Sequence, residues 1–253
     1  MEKLPQAVEW HISYRYDRSQ KEALYLSKII KLFEKKMNEN YSTILEVACG
    51  NGRIHPFLRN KGFKIFGIDN SNELLDTVKE KFPKYSKNYW KTDMRNFDLK
   101  RKFDIVLSWF TSFGYFNDNV NLKVLKNMKK HLRKNGLLMM DIPNKNSKMF
   151  KKKRRTYTET YGNYVEKVFN KIENQNNQTF WILSENFYLK EGKNLKFLKN
   201  IKRKVRIYDL EEIKYLLSKA GFETVQAFRT RTFSKVRSNS RRMFIIAKPI
   251  ARK

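Results

Sequence analysis

Three residue types at fixed spacing carry the first hint of chemistry. Gly50 and Gly52 follow the short apolar run Thr43-Ile44-Leu45-Glu46-Val47, and Asp69 closes the next such run, 19 residues after Gly50. Glycines there remove the Cβ atoms that would hold a ligand off the backbone, and the turn they make opens a helix whose first N–H groups are unpaired. A carboxylate at the end of the second strand can accept hydrogen bonds from both hydroxyls of a ribose. The dinucleotide fingerprint would need a third small residue at position 55, and His55 stands there, which argues against close passage of a pyrophosphate. The ligand indicated has a ribose and no pyrophosphate against the turn.

Other chemistry is scarce. The only cysteine is Cys49, read as a small packed thiol, and His11, His55 and His131 are the only histidines. No internal disulfide or multi-thiolate metal site can form, and a reducing cytoplasmic setting is expected. The three histidines are far apart and read as surface or capping residues rather than as a base. No run approaches the roughly 18 apolar residues of a membrane span, and the first residues lack a signal pattern.

The elements that must position the glycine turn alternate in type. A helix is expected over 19–39, with Leu26, Ile29, Ile30, Phe33 and Met37 on one face and Ser19/Glu22 as a capping box. Strands at 43–47, 64–68, 88–92, 103–109 and 137–142 alternate with helices at 53–60, 71–82 and 119–134; Gly62, Gly136 and Gly221 read as helix stops. This rhythm implies a parallel sheet covered on both faces. After Pro143 it breaks into β-like segments at 164–172, 178–189 and 194–207, in which Trp181, Leu183, Phe187 and Leu189 alternate as in a half-buried strand. A helix from Asp209 and strands at 222–229 and 242–248 restore the α/β texture. The expected organisation is an α/β domain from 1–143 and 205–253, with 1–40 as a helical cap, and a basic β insertion at 144–204.

Charge is distributed unevenly. The 253 residues carry 55 basic and 25 acidic side chains, a formal +30, yet 40% hydrophobic and 14% aromatic content suffices for a large core. Lys outnumbers Arg 38 to 17 and Asn reaches 24, as an AT-rich genome would produce without selection for charge. Drift alone would not give 27 basic against 16 acidic residues in 1–143 but 28 against 9 in 144–253. Such a field concentrates anionic partners.

The combination Glu46-x-x-Cys49-Gly50-x-Gly52-Arg53, Gly67-Ile68-Asp69-Asn70-Ser71, Thr92-Asp93-Met94-Arg95-Asn96-Phe97, Phe103-Asp104-Ile105-Val106 and Leu132-Arg133-Lys134-Asn135-Gly136 resembles the class I S-adenosylmethionine-dependent methyltransferases. The resemblance covers about residues 10–143 and 205 to the end. It implies a Rossmann-like sheet of seven strands with helices on both faces and an antiparallel β insertion after the fifth strand. It further implies S-adenosyl-L-methionine as cofactor, with contacts from Tyr16, Glu46, Ala48, Gly50, Gly52, Arg53, Asp69, Asn70, Asp93, Met94 and Arg95. Gly50 and Gly52 would line its methionine part and Asp69 its ribose. Asp93 and Met94 would flank the adenine, and Tyr16 would fold over the whole.

Within that family, Ser108-Trp109-Phe110-Thr111 lacks the Asn/Asp-Pro-Pro-aromatic signature of base-amine methylation, and no second cysteine is present for pyrimidine carbon methylation. Transfer to N or O of a small, anionic acceptor is the expectation, similar to the small-molecule branch that includes sugar N-methyltransferases. Trp109, Phe113 and Tyr115 are candidate acceptor walls; no catalytic base, metal or oligomeric state is implied. An RNA methyltransferase is the alternative, with Tyr157, Tyr161, Tyr164, Phe169, Trp181 and Tyr188 as base-stacking candidates. A non-catalytic cofactor- or RNA-binding protein is the third reading.

Overall fold

The computed structural model describes residues 16–151 and 154–250. The first helix, α1 (Tyr16–Met37), buries Ala23, Leu26, Ile29, Ile30 and Phe33 on one stripe, as the spacing requires. It begins before the expected capping box. Ser19 and Glu22 therefore lie inside the helix, fully buried, and bond to other elements instead of capping this one.

β1 (Thr43–Val47) is buried along its whole length between two parallel neighbours, β2 (Lys64–Asp69) and β4 (Phe103–Ser108). α2 (His55–Arg59) and α3 (Asn72–Lys81) connect β1 to β2 and β2 to β3 (Tyr89–Lys91). Ser71 caps α3 by accepting the Leu74 N–H. Asn117 likewise caps α4 (Asp118–Lys130), which ends at His131, short of the expected Asn135-Gly136 stop. Residues from Leu132 already belong to β5 (Leu132–Pro143). Gly136 is a strand residue whose Cβ would lie 2.8 Å from the Asp104 carbonyl oxygen, so close backbone approach demands glycine there.

The seven-stranded sheet has the order β3-β2-β1-β4-β5-β11-β10, where β10 is Phe222–Arg229 and β11 is Arg242–Pro249. β11 runs antiparallel to both neighbours and the remaining pairs are parallel. Strand alternation divides the core in two. Ile44, Ile65, Ile105 and Leu107 pack with α1, while Leu45, Val47, Val106 and Leu138 pack with α4 and α5 (Leu210–Lys219). Asp209 and Glu212 form the capping box of α5.

The segment after β5 forms a second, antiparallel sheet of four strands: β6 (Arg154–Tyr161), β7 (Tyr164–Gln175), β8 (Gln178–Glu191) and β9 (Asn194–Arg206). β6 was not among the expected strands, because its basic start and alternating threonines give no apolar pattern. Trp181, Leu183 and Phe187 do share one face, and they turn it toward the main domain: Phe187 packs near Leu74 of α3, and Trp181 near Phe150 and Tyr115. The exit of β9 is clamped to the main sheet. The Arg206 N–H donates to the Gly114 carbonyl, and the buried Arg206 guanidinium pairs with Asp118 and Glu212.

Candidate cofactor and acceptor site

Consecutive strands β1 and β2 lie on one side of the sheet and β4 on the other, so the chain order reverses beside β1; a crevice outside the carboxyl ends is the usual ligand site at such a switch. The turn after β1 winds through left-handed backbone at Ala48, Gly50 and Gly52, with φ of +56°, +55° and +63°. A Cβ on Gly50 would meet nothing nearer than Leu74 at 3.8 Å, so this face is an open cradle. Gly52 serves the packing below: its Cβ would crowd His55 and Val78 at 3.0 Å.

Asp69 is bolted to that turn. One carboxylate oxygen accepts the Gly50 N–H at 2.8 Å and the other the Ser71 N–H at 3.0 Å. Each oxygen keeps an acceptor position for a further donor. Neighbouring Asn70 is exposed. Asp93 is clamped by Arg95, whose backbone N–H and guanidinium both donate to it; those hydrogen bonds hold its carboxyl below the usual range against a small burial effect. The Arg95 guanidinium also lies 4.9 Å from the centre of the Phe116 ring. Met94 is partly buried against the main core. Tyr16 opens α1, but its side chain, like all of His11, lies outside the described residues.

Glu46 does not stand in the open crevice. It is buried beneath the turn, where its carboxylate accepts from His55 Nε2 at 2.6 Å. His55 Nδ1 meets the Tyr89 hydroxyl at 2.8 Å, and Arg59 donates to that hydroxyl at 2.7 Å. Contacts of this kind fit one tautomer, with Nε2–H donating to Glu46 and Nδ1 accepting from Tyr89. Burial pushes the Tyr89 hydroxyl up to about 12 despite Arg59, so it stays a donor. His55 is thus neither a surface nor a capping residue: it is fully buried and props the glycine turn. His131 is buried too, stacked on Phe97. Cys49 is packed, as expected, and its sulfur occupies the space a Cβ on Gly67 would need.

Arg53 turns away from the cradle toward α1, donating to Ser19 at 2.9 Å and to Glu22 at 2.6 Å. Glu22 also accepts from Arg18 at 2.8 Å, from the Trp109 indole at 2.8 Å and from Arg231 at 2.6 Å. Burial alone would raise its carboxyl, but Arg53, Trp109 and Arg231 outweigh it and bring the value from 4.5 to about 2. Sequence reasoning missed this hub because Arg18, Arg53, Trp109 and Arg231 are scattered over the chain.

The loop after β4 forms the floor on the other side. Phe110 and Thr111 are both left-handed, with φ of +56° and +70°. Such backbone costs roughly 1–3 kcal/mol per non-glycine residue and clusters at functional sites. Ser112 fastens the loop to the glycine turn by donating to the Ala48 carbonyl at 3.1 Å, and the Arg242 guanidinium donates to Thr111 Oγ1 at 2.8 Å. Of the three candidate walls, Trp109 and Phe113 are core residues. Trp109 packs edge-on to Phe244, and Phe113 stacks on Tyr208. Trp109 belongs to the core on the α1 side of the sheet and Phe113 to the core on the α4 side, so both serve packing. Tyr115 differs: its hydroxyl, raised by burial, has Arg203, Asp69 and Glu185 as electrostatic neighbours. It stands near Asp69 and the Glu185–Arg203 pair of the second sheet.

Register shows which charges that sheet turns inward. Directly paired residues share a face, so Tyr157, Glu159, Glu166, Val168, Leu183, Glu185, Phe187, Ile201 and Arg203 are on the face that packs on Leu74 and Tyr115. Glu166 and Glu185 are buried, and Glu185 pairs with Arg203. The opposite face holds Arg154, Lys167, Lys171, Lys202 and Lys204. Part of the insertion's basic charge therefore points away from the crevice, while Arg155, Lys199 and Arg203 share the inward face.

Among the described residues no group of three or more His, Cys, Asp or Glu is placed to hold a metal ion, and no helix is long and apolar enough to cross a membrane.

A seven-stranded sheet of this order, with a glycine turn and an acidic strand end at the switch point, defines the class I methyltransferase fold. Residues 44–136 match the model of a methyltransferase domain family, and the architecture is that of the class I methyltransferase fold. It is 30% identical to the dTDP-3-amino-3,4,6-trideoxy-alpha-D-glucopyranose N,N-dimethyltransferase of Streptomyces venezuelae over 40% of this chain and 42% of that protein. Alignments with such curated relatives span only about two fifths of their length. Its structure is similar to that of an S-adenosylmethionine-dependent methyltransferase from Clostridium acetobutylicum, with a TM-score of 0.77, 20% identity and coverage of 95% of this chain and 97% of that one. It is also similar to CalS10, an amino pentose methyltransferase from Micromonospora echinaspora solved with bound S-adenosylmethionine, with a TM-score of 0.69, 17% identity and coverage of 98% and 99%.

Proposed function

We propose that this protein transfers a methyl group from S-adenosylmethionine to the nitrogen of a small amine acceptor that also carries an anionic group. The observation that carries the cofactor half is the hydrogen bond between the Gly50 N–H and Asp69: it holds an open glycine cradle and a ribose-ready carboxylate in one rigid unit. When bound, the cofactor's sulfonium supplies an electrophilic methyl. Asp93, held in place by Arg95, is the acceptor for the adenine amine. Glu46 acts from below through His55, as a positioning residue for the turn.

Nitrogen is favoured over oxygen by the inward face of the second sheet. A hydroxyl must be deprotonated by a positioned base, whereas an amine needs only to shed one proton. Glu185, which lies near Tyr115 and pairs with Arg203, draws the ammonium in and accepts its proton, and the Tyr115 hydroxyl then aims the freed lone pair along the C–S axis. The N–C bond forms as the C–S bond breaks, leaving S-adenosylhomocysteine. Alignment and exclusion of water of this kind can supply roughly 7–11 kcal/mol of the barrier. The amino-sugar and sugar N-methyltransferases among the similar proteins support the same choice.

Titration calorimetry with S-adenosylhomocysteine tests the reading. Asp69→Ala should weaken binding at least tenfold, since it removes the ribose acceptor and frees the turn; unchanged affinity would sink the cofactor assignment. A second reading, RNA methylation, draws on the outer face of the second sheet, where exposed Phe197 packs on half-buried Tyr188 beside Lys167, and Lys202 and Lys204 lie further along the same face. It requires RNA affinity that falls steeply with salt, and a flat response eliminates it.

A further inference from the structure

In a chain where Lys outnumbers Arg 38 to 17, one cluster at the carboxyl edge of the main sheet is built from arginine alone. Arg18 of α1, Arg53 of the glycine turn and Arg242 of β11 place their guanidinium carbons 4.6, 5.1 and 5.2 Å from the centre of the Phe110 ring. Arg231, in the loop between β10 and β11, joins them through Glu22. Glu22 and Asp141, both fully buried, neutralise two of the four positive charges. A net charge of two remains over a ring held in place by two left-handed residues.

These carboxylates are already saturated. Glu22 accepts from three arginines and Trp109, and Asp141 from Arg242 and Thr230. Among the described residues Arg18 is held through Nε alone and Arg231 through one terminal nitrogen, and their side chains are 39% and 37% exposed. Burial, together with the like charges of Arg18 and Arg242, presses Arg231 below the usual guanidinium range even though Glu22 and Asp141 pull the other way. Guanidinium forks fit two oxygens of one anion and stack on aromatic rings, which an ammonium does poorly. An anion on this cluster would relieve repulsion that the protein otherwise leaves uncompensated.

We propose that Arg18, Arg53, Arg231 and Arg242, gathered round Phe110, form an anion subsite for a phosphate or carboxylate group of the acceptor. It lies at the opposite end of the 109–116 loop from Tyr115, so the acceptor is a molecule with its amine at one end and its oxyanion at the other. Calling the occupant an acceptor rests on the methyl-transfer reading above. The same oxyanion chemistry has a second source, the carboxylate of the cofactor itself, and the test separates the two.

Calorimetry would be run with inorganic pyrophosphate, S-adenosylhomocysteine and 5′-methylthioadenosine, the last lacking the carboxylate. Arg18→Gln and Arg231→Gln should each weaken pyrophosphate about tenfold, equivalent to ~1.4 kcal/mol, with S-adenosylhomocysteine affinity within twofold of the parent. Lys126→Gln, on the exposed face of α4, controls for diffuse charge and should change neither. Pyrophosphate binding that ignores both arginines, or that Lys126→Gln weakens equally, overturns the subsite. A tenfold loss of S-adenosylhomocysteine with 5′-methylthioadenosine unaffected assigns the cluster to the cofactor and overturns the acceptor assignment. Should the parent protein bind no S-adenosylhomocysteine, the methyl-transfer reading fails, and the pyrophosphate results alone still decide whether the anion subsite exists.

Discussion

Replacing Glu22 by Gln keeps the shape of the side chain and an acceptor for the Trp109 indole but removes the only negative charge among Arg18, Arg53 and Arg231. The magnitude follows from the carboxyl's displacement from 4.5 to about 2: about 2.5 pH units at ~1.4 kcal/mol each is about 3–4 kcal/mol. Breaking a buried ion pair from one side typically costs about 3–5 kcal/mol. The lower end is expected because Arg18 and Arg231 are more than a third exposed and water screens them once Glu22 is gone. Urea denaturation of both proteins between pH 7 and pH 2 measures it. The folded value lies below the unfolded one, so Glu22's contribution is complete above about pH 4.5 and declines as pH falls toward about 2. The parent should be about 3 kcal/mol more stable at pH 7, and the gap should close through that window as the parent's carboxyl becomes a neutral near-isostere of Gln. A gap below about 1 kcal/mol at pH 7, or one that stays constant from pH 5 to pH 2, would refute the account of Glu22 as a charge hub.

Two further substitutions probe what positions the site. Tyr89→Phe strands His55 Nδ1 and leaves Arg59 without its acceptor; it should cost roughly 1–3 kcal/mol in thermal or urea unfolding and loosen S-adenosylhomocysteine binding through the turn, and an unaltered midpoint would show that the buried chain is not a support. Gly114→Ala forces a Cβ to 2.5 Å from the Arg206 carbonyl at a φ of +105°. It should lower the melting temperature and free the exit of β9, read as faster amide exchange at Arg206; wild-type exchange there would argue that the clamp does not seat the second sheet.

The parts of the fold and site that neighbouring residues decide were legible in the sequence. The glycine turn, Asp69 at its strand end, the cap at Asp209 and the alternation of strands and helices are set within a few residues, where backbone sterics and burial periodicity act directly. Element ends were less so: α4 gave up its last turn because Leu132 found a partner in Phe103, a pairing no local pattern reveals. β6 was hidden for a related reason, since a strand whose hydrogen bonds come wholly from β7 needs no apolar alternation of its own.

Charge shows the division most clearly. Composition alone gave a formal +30 and its concentration after residue 143, and from that an anionic acceptor docked on the insertion was the natural expectation. Strand register then turned Glu166 and Glu185 toward the crevice and Lys167, Lys202 and Lys204 away from it, while Arg18, Arg53 and Arg242 met around Phe110, with Arg231 joined through Glu22, from three distant parts of the chain. A side chain's type fixes how much charge it carries, but the field at a site depends on distance and on which face each residue occupies. Those are set by long-range pairing, so only the tertiary structure could decide them.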